Sequence, residues 1–479
     1  MQVTSTGNIA ATLLDVKAVH DFATHLRGEL IEPDNPAYDD ARRVFNGMID
    51  RHPRLIVRCA DVADVINAVN FAREQGMALS VRGGGHNVAG SSMNDDGIVI
   101  DLSRMRDVRV DPVHRTARVG GGATWADLDH ASHVFGLATP GGQVSSTGVG
   151  GLTLGGGIGH LSRKYGLAID NVLSVDVVTA DGAFVTASAH EHPDLFWAMR
   201  GAGGNFGVVT SFEFRLHPVS MVFGGPIIYP VEQVRDVLRL YRDYMAGAPD
   251  DLSVVFAFMI VPPAPPFPEH LWHKTMCGLL VCYTGPLDQA ETIVRPLRQF
   301  GPPALDMMGP MPYPVLQSLF DPIAPPGLQQ YWKGDFVTAI SDEMIEVHAQ
   351  YGPRIPTPVS IVHIYPVSGA ANRVGADETA FPHRDAQFVH IIGAAYPDPA
   401  DTPKNVAWVR EYWSALHPYV SGTYVNFLMD EGEERARGSY GSNYARLAAL
   451  KQRYDPTNLF RMNQNIKPSG SEGNETSRA

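Results

Sequence analysis

The 479 residues are too many for one ordinary core, so two or three domains are expected. With 44% hydrophobic and 19% charged residues the composition is that of a soluble globular protein. A net charge of -13 with no basic run excludes nucleic acid as the main partner. Cys59, Cys277 and Cys282 are too few and wrongly spaced for a disulfide framework or a zinc site. Met1–Ser5 lacks the charged start of a signal peptide, and no apolar run is long enough to span a bilayer. The expected location is the cytoplasm, with no membrane partner.

Leu13–Leu26 has apolar residues at helical spacing, and Glu29–Ile31 and Ile56–Val57 read as short strands. Asp61 stands as an N-cap before the helical repeat Val62, Val65, Ile66, Val69, Ala72, which Gly76 ends. Ala78–Val81 returns as a strand, completing a β-α-β unit. From it emerges Arg82-Gly83-Gly84-Gly85-His86-Asn87, with Gly90 shortly after. Glycine lets a backbone approach a ligand closely, and consecutive N–H groups in such a loop suit an anion such as a pyrophosphate.

Ile98–Leu102 is the next strand, and 109–110 and 116–119 read as short antiparallel strands before a helix carrying Trp125 and Leu128. The densest glycine region follows: Pro140-Gly141-Gly142-Gln143-Val144-Ser145-Ser146-Thr147-Gly148-Val149-Gly150-Gly151, then Gly155-Gly156-Gly157-Ile158-Gly159-His160. Asp170-Asn171 precede the strand Val172–Thr179. A helix opens at His192-Pro193-Asp194, and Gly203-Gly204-Asn205-Phe206-Gly207-Val208-Val209 leads into the strand Ser211–Leu216.

Near Pro218 glycine loops give way to proline-rich segments, which marks a domain boundary. Strands are expected at Val254–Ile260, Cys277–Tyr283, Ser360–Tyr365 and Phe388–Ala395, with helices at Val231–Met245 and Leu287–Leu297 covering one face of an antiparallel sheet. The fold class is α+β. A helix at Asn443–Tyr454 and a buried segment at Phe460–Ile466 precede a polar tail expected to be disordered.

Gly155–Gly159 does not open a helix after the first strand of a β-α-β unit, so a nicotinamide site is not indicated, and no GxxxxGK[ST] loop exists. His190-Glu191-His192 lacks one-face spacing for a metal and runs into Pro193. No metal site is expected. Several separated glycine loops between Gly83 and Gly207 suit one long cofactor such as FAD, each loop meeting a different part of it.

The motifs at 81–87, 140–159, 166–171 and 192–209 resemble the FAD-binding half of the vanillyl-alcohol-oxidase-type flavoproteins. Tyr440-Gly441-Ser442-Asn443-Tyr444, Tyr454-Asp455-Pro456 and Asn463-Gln464-Asn465-Ile466 resemble the tail of the berberine-bridge-enzyme-like subfamily. The resemblance implies a two-subdomain FAD-binding domain over 1–218, a substrate-binding domain over 219–420, a C-terminal segment over 421–468 that returns to the FAD domain, and a tail over 469–479. It implies FAD contacts from Arg82, Gly83, Gly84, Gly85, His86, Asn87, Gly90, Pro140, Gly141, Gly142, Val144, Ser146, Thr147, Gly150, Gly151, Gly155, Gly156, Gly159, His160, Asn171, Gly207, Val208, Val209, Asn463 and Asn465. It also implies a covalent flavin bond at His86. A second bond, made by a cysteine in many members, has no counterpart, because Val144 stands there; Thr147 falls at the position tied to oxygen access.

The resemblance implies an FAD-dependent oxidoreductase, preferentially an oxidase that passes electrons from a small alcohol, sugar, amine or secondary metabolite to O2. A flavin dehydrogenase, an oxidative cyclase or a non-catalytic flavin-binding protein are the alternatives. The family's catalytic tyrosine ends a Tyr-x-Asn-Tyr pattern, which here reads Tyr424-Val425-Asn426-Phe427, and Phe427 cannot accept a proton. Strand alternation puts His363 and Tyr365 on one face, so Tyr365, Tyr424, His363 and His390 are the candidates for base or substrate contact. The oligomeric state is not legible.

Overall fold

The computed structural model describes residues 14–429 and 431–470. Met1–Leu13 and Ser471–Ala479, with the expectations placed on them, lie outside the described residues. The first helix runs Val16–Thr24, capped by the Asp15 carboxylate accepting from the Lys17 N–H.

Three sheets position the functional cavity. The first has four strands in the spatial order Glu29–Ile31, Leu55–Arg58, Ile98–Asp101, Leu79–Arg82, the last three parallel. The β-α-β unit forms around the helix Val62–Glu74, whose N-cap Asp61 accepts from Ala63 and Asp64. Its two strands are not neighbours, because Ile98–Asp101 inserts between them. That strand is buried along its whole length, as expected of a parallel strand covered on both faces.

The second sheet is antiparallel, in the order Val108–Asp111, Thr116–Gly120, Val208–Arg215, Val172–Val178, Phe184–Ser188. Alternation of buried Phe212 and Phe214 with Ser211 and Glu213 faces its core toward Trp125 and Trp197. The glycine loops lie where these two sheets meet.

The third sheet is antiparallel. Its main strands run in the order Met221–Pro230, Thr275–Tyr283, Leu252–Ile260, Ile361–Pro366, Phe388–Tyr396, Gln329–Val337. Helices Val234–Gly247, Leu287–Gln299, Asp342–Tyr351 and Thr402–Leu416 pack on one face, where Leu238, Val294, Ile345 and Val409 join Phe256, Ile364 and Ile392 in one core. The last two helices and the strands at 221–230 and 329–337 are absent from the sequence reading. Gly224, Gly225 and Pro226 interrupt the first of those strands, and Lys333, Gly334 and Asp335 break the apolar pattern of the second. Tertiary pairing overrides weak local preference there.

The helix Tyr444–Tyr454 brings the C-terminal segment back to the second sheet. Buried Lys451 donates to the Asn205 and Phe460 carbonyls at 2.7 and 2.9 Å and pairs with Asp455 at 2.7 Å. Phe460 and Ile466 are buried as expected, while 461–465 are exposed or half-buried and form no strand. No helix of the described residues is long and apolar enough to cross a membrane, and no metal-binding cluster exists among them.

One buried ion pair links the cofactor-side loops to the third sheet. Arg384 donates twice to Asp170, at 2.7 and 2.8 Å, and both side chains are more than nine-tenths buried. Arg384→Ala removes the guanidinium partner of buried Asp170. It is expected to lower unfolding free energy by roughly 3–5 kcal/mol, read by chemical denaturation.

On the helix-covered face, burial pushes His348 down to about 3. The unfolded histidine takes its proton near pH 6.5, so the unfolded state binds more protons between those values. Stability should therefore fall as pH drops below 6.5. His348→Asn should lessen that slope by up to about 1.4 kcal/mol per pH unit, measured by denaturation at pH 7, 6 and 5.

Candidate active site

A cavity of about 340 Å³ lies between the glycine loops and the third sheet. One wall is Gly83, Gly84, Gly85, His86 and Asn87. The N–H groups of Gly84, Gly85, His86 and Asn87 reach no protein acceptor among the described residues. Four free backbone donors in series make a nest for phosphate oxygens.

The loops are glycine because they press together. A Cβ on Gly84 would sit 2.4 Å from the Gly148 nitrogen, whereas one on Gly151 or Gly204 would meet no protein atom. The first contact closes the wall. The other two leave bare backbone facing the cavity. None of the described lining residues is Asp, Glu, Lys or Arg. This donor set fits FAD, whose pyrophosphate charge would be met by backbone dipoles and whose ring systems suit the apolar remainder.

His86 stacks on Phe45 at 4.1 Å between ring centres. Its Nε2 lies 3.1 Å from Ser146 Oγ and its Nδ1 3.3 Å from Thr147 Oγ1. Burial lowers its pKa to about 4, so the ring is neutral and keeps one nitrogen lone pair. Val144 and Thr147 line the cavity beside it, and all three cysteines are buried outside the lining.

Opposite, the strand Ile361–Pro366 projects His363 and Tyr365 into the cavity, as alternation predicts. Their contact is short, Nδ1 to hydroxyl 2.6 Å, and His363 stacks on Phe320 at 4.8 Å. Burial pushes His363 down to about 3 and the Tyr365 phenol up, so both are neutral at physiological pH. Tyr424 also lines the cavity. Its hydroxyl accepts from the Gly157 N–H and from Asn426 Nδ2, both at 2.9 Å. Burial pushes its phenol up to about 12, so it offers a proton rather than taking one. Phe427 lines the same wall with a hydrocarbon edge.

His390 departs from the expectation. It pairs in register with Ile364, so it points to the helix-covered face, away from the cavity, and is fully buried there. One residue of strand register decides this.

Of the expected cofactor residues, Gly83, Gly84, Gly85, His86, Asn87, Gly142, Val144, Thr147, Gly150, Gly151, Gly207, Val209 and Asn463 line the cavity. The others lie behind it. Arg82 turns its guanidinium to the Ala41 carbonyl and toward Asp101. Gly90 packs on Ile49. Pro140 is buried, Gly141 lies under the Trp125 ring, and Gly159 abuts the Gly141 carbonyl. Ser146 supports His86 from outside the lining. Gly155 and Gly156 pack on Asn426 and on Phe381 with Tyr424. His160 is buried, 3.4 Å from Gln143. Asn171 is consumed by the Tyr165 and Leu167 carbonyls and His217. Val208 is a core residue, and Asn465 stays off the lining.

The sequence reading missed Phe320, Gln330, Trp332, Ile361, Ile391, Asn426 and Gly204 as lining residues. Ile361 carried a signal because it shares the alternating face of His363 and Tyr365, and Gly204 and Asn426 stood inside motifs already quoted. Gln330, Trp332 and Ile391 are brought in by strand order, and Phe320 by the turn after the helix Tyr313–Gln317.

Residues 53–188 match the family model for an FAD binding domain, and residues 423–467 match the one described as berberine and berberine like. An FAD-linked oxidoreductase of Dictyostelium discoideum is 33% identical over 455 residues, covering 94% of this chain and 97% of that protein. Among solved structures, 6-hydroxy-D-nicotine oxidase from Arthrobacter nicotinovorans superposes with a TM-score of 0.83 at 31% identity, covering 92% of this chain and 98% of that one. Xylooligosaccharide oxidase from Myceliophthora thermophila, solved with xylobiose, superposes at 0.81 with 26% identity, covering 94% and 99%. Two matched domains flanking the third sheet, relatives aligned over nearly their whole length and a donor-lined cavity between the domains agree: the chain is an FAD-dependent enzyme of the vanillyl-alcohol-oxidase-type flavoproteins, belonging to the berberine-bridge-enzyme-like oxidoreductases.

Proposed function

We propose that this enzyme is an oxidase of a small organic molecule, with O2 as electron acceptor, and that it holds FAD through a single covalent bond from His86. The carrying observation is the His86 ring fixed by Phe45, Ser146 and Thr147 on the cavity wall, with no cysteine in the lining. A protonated imidazole has no lone pair to form the bond, and a loosely held one would not be aimed.

FAD bound there supplies hydride acceptance from a substrate C–H bond. Gly84, Gly85, His86 and Asn87 bind its phosphates through their N–H groups. His363 and Tyr365 hold the substrate's polar group from the opposite side. In their 2.6 Å contact the Tyr365 hydroxyl donates to His363 Nδ1, which leaves the His363 Nε2–H to donate to the substrate and the Tyr365 oxygen to accept from it. Tyr424, with two donors already on its oxygen, contributes only its O–H. Phe320 and Trp332 exclude water from the reacting face. The oxidase names borne by the two solved relatives support O2 as acceptor.

Acid-precipitated protein should remain yellow and fluoresce on a denaturing gel, and His86→Ala should release all its flavin to the supernatant. Flavin released from the unaltered protein would remove the covalent bond from this reading. Tyr365→Phe should leave flavin content unchanged and lower kcat/KM by roughly tenfold or more through loss of one buried hydrogen bond. After anaerobic chemical reduction, admitting air should restore the yellow colour within the mixing time; slow recovery would point to another acceptor.

A further inference from the structure

Three strands floor the cavity opposite the glycine loops, and they sort their side chains by charge. In register, Ile361 lies beside Gly393, His363 beside Ile391, and Trp332 beside Gly393 from the other side. The cavity face of these strands carries Ile361, Ile391 and Trp332, with His363, Tyr365 and Gln330 its hydrogen-bonding groups. Every ionised group of the same strands is on the opposite face. Lys333 pairs with Glu431 at 2.5 Å, and Asp335 takes bonds from Trp413, Thr423 and Arg435. Asp321, next to Phe320, is turned to the Ser145 N–H and hydroxyl.

Glycines shape this floor for flat rings. A Cβ on Gly393 would lie 3.1 Å from the Trp332 ring, and one on Gly334 would lie 2.7 Å from the Phe427 ring. The two rings therefore occupy the space a side chain would take over bare backbone and meet edge to face at 6.2 Å. Phe320, stacked on His363, brings a third ring to the same space.

We propose that the substrate is an uncharged, mainly apolar molecule bearing a flat ring, held between the Trp332, Phe427 and Phe320 rings with its single reacting polar group on His363 and Tyr365. The assignment rests on the oxidase reading above and narrows it. An ionic group on the substrate would be buried with no counter-charge among the described lining residues, which a low-dielectric site penalises far more than a neutral ring. A sugar would bury several hydroxyls against Ile361, Ile391 and Phe427, more than His363, Tyr365 and Gln330 can partner. A neutral ring loses nothing there and gains stacking contacts.

The test uses the FAD-loaded protein and four probes: 2-naphthylmethanol, its 6-carboxy and 6-aminomethyl derivatives, and xylobiose. Each is titrated while the flavin's visible spectrum and the thermal midpoint are recorded. The neutral alcohol should perturb the spectrum and raise Tm, each ionic derivative should bind at least tenfold more weakly, and xylobiose should do neither. An ionic derivative or xylobiose binding as tightly as the neutral alcohol overturns the proposal, as does a neutral alcohol that leaves both signals unmoved. Ile361→Glu should bring the aminomethyl probe's Kd below that of the neutral alcohol, and Val359→Glu makes the same change at the cavity edge where the first variant does not fold. An unchanged ranking in a folded variant also counts against the proposal. Reduction by dithionite and reoxidation by air use no probe. A protein that retains FAD and reoxidises, yet prefers charged or sugar probes, sinks the substrate class alone; one that holds no FAD sinks the oxidase reading.

Discussion

The close approach of Gly84 to Gly148 is the contact on which the site depends. The first sheet ends in the loop carrying His86, and the segment before the helix Val149–Leu154 supplies the turn carrying Ser146 and Thr147. These meet on bare backbone, with no room for a Cβ on either side. Because they meet, His86 lies within hydrogen-bond reach of both hydroxyls, on a cavity-lining loop whose four N–H groups have no protein acceptor among the described residues. A side chain at either glycine would part the loops and separate the imidazole from its supports.

The same wall is braced from behind by the returning C-terminal segment. Asn205, fully buried, donates to the Ala202 and Gln464 carbonyls and accepts from the Ile466 N–H, while its own carbonyl accepts from Lys451. Burial lowers the Lys451 ammonium, and Asp455 opposes that by pairing with it. This knot holds the Gly203–Gly207 loop, so a helix more than two hundred residues downstream fixes part of the cofactor wall.

The opposing wall follows a different constraint. In the third sheet, one face must be apolar to pack under four helices, yet it also accommodates Lys333, Asp335 and His390. Lys333 and Asp335 are satisfied by partners in the C-terminal segment and the last covering helix, including Glu431, Arg435 and Trp413. Because those charges are absorbed on the covered face, the cavity face is free to be uncharged.

By itself the sequence determined the loops, the single candidate tether and the chemistry class. Three glycines before His86, the 140–159 cluster and the Val144 and Phe427 departures are local facts, because backbone freedom and side-chain chemistry belong to the residues that carry them. It also placed His363 and Tyr365 together, since two residues two apart on a strand share a face. It could not place His390, whose face depends on register with Ile364, nor Trp332 and Ile391, whose meeting depends on strand order. It overcounted the cofactor wall for the same reason: Gly141, Gly155, Gly156 and Gly159 look like ligand-facing glycines, but the tertiary structure spends them on packing of one segment against another. A glycine announces that something comes close; only the folded chain decides whether that is a cofactor or the protein itself.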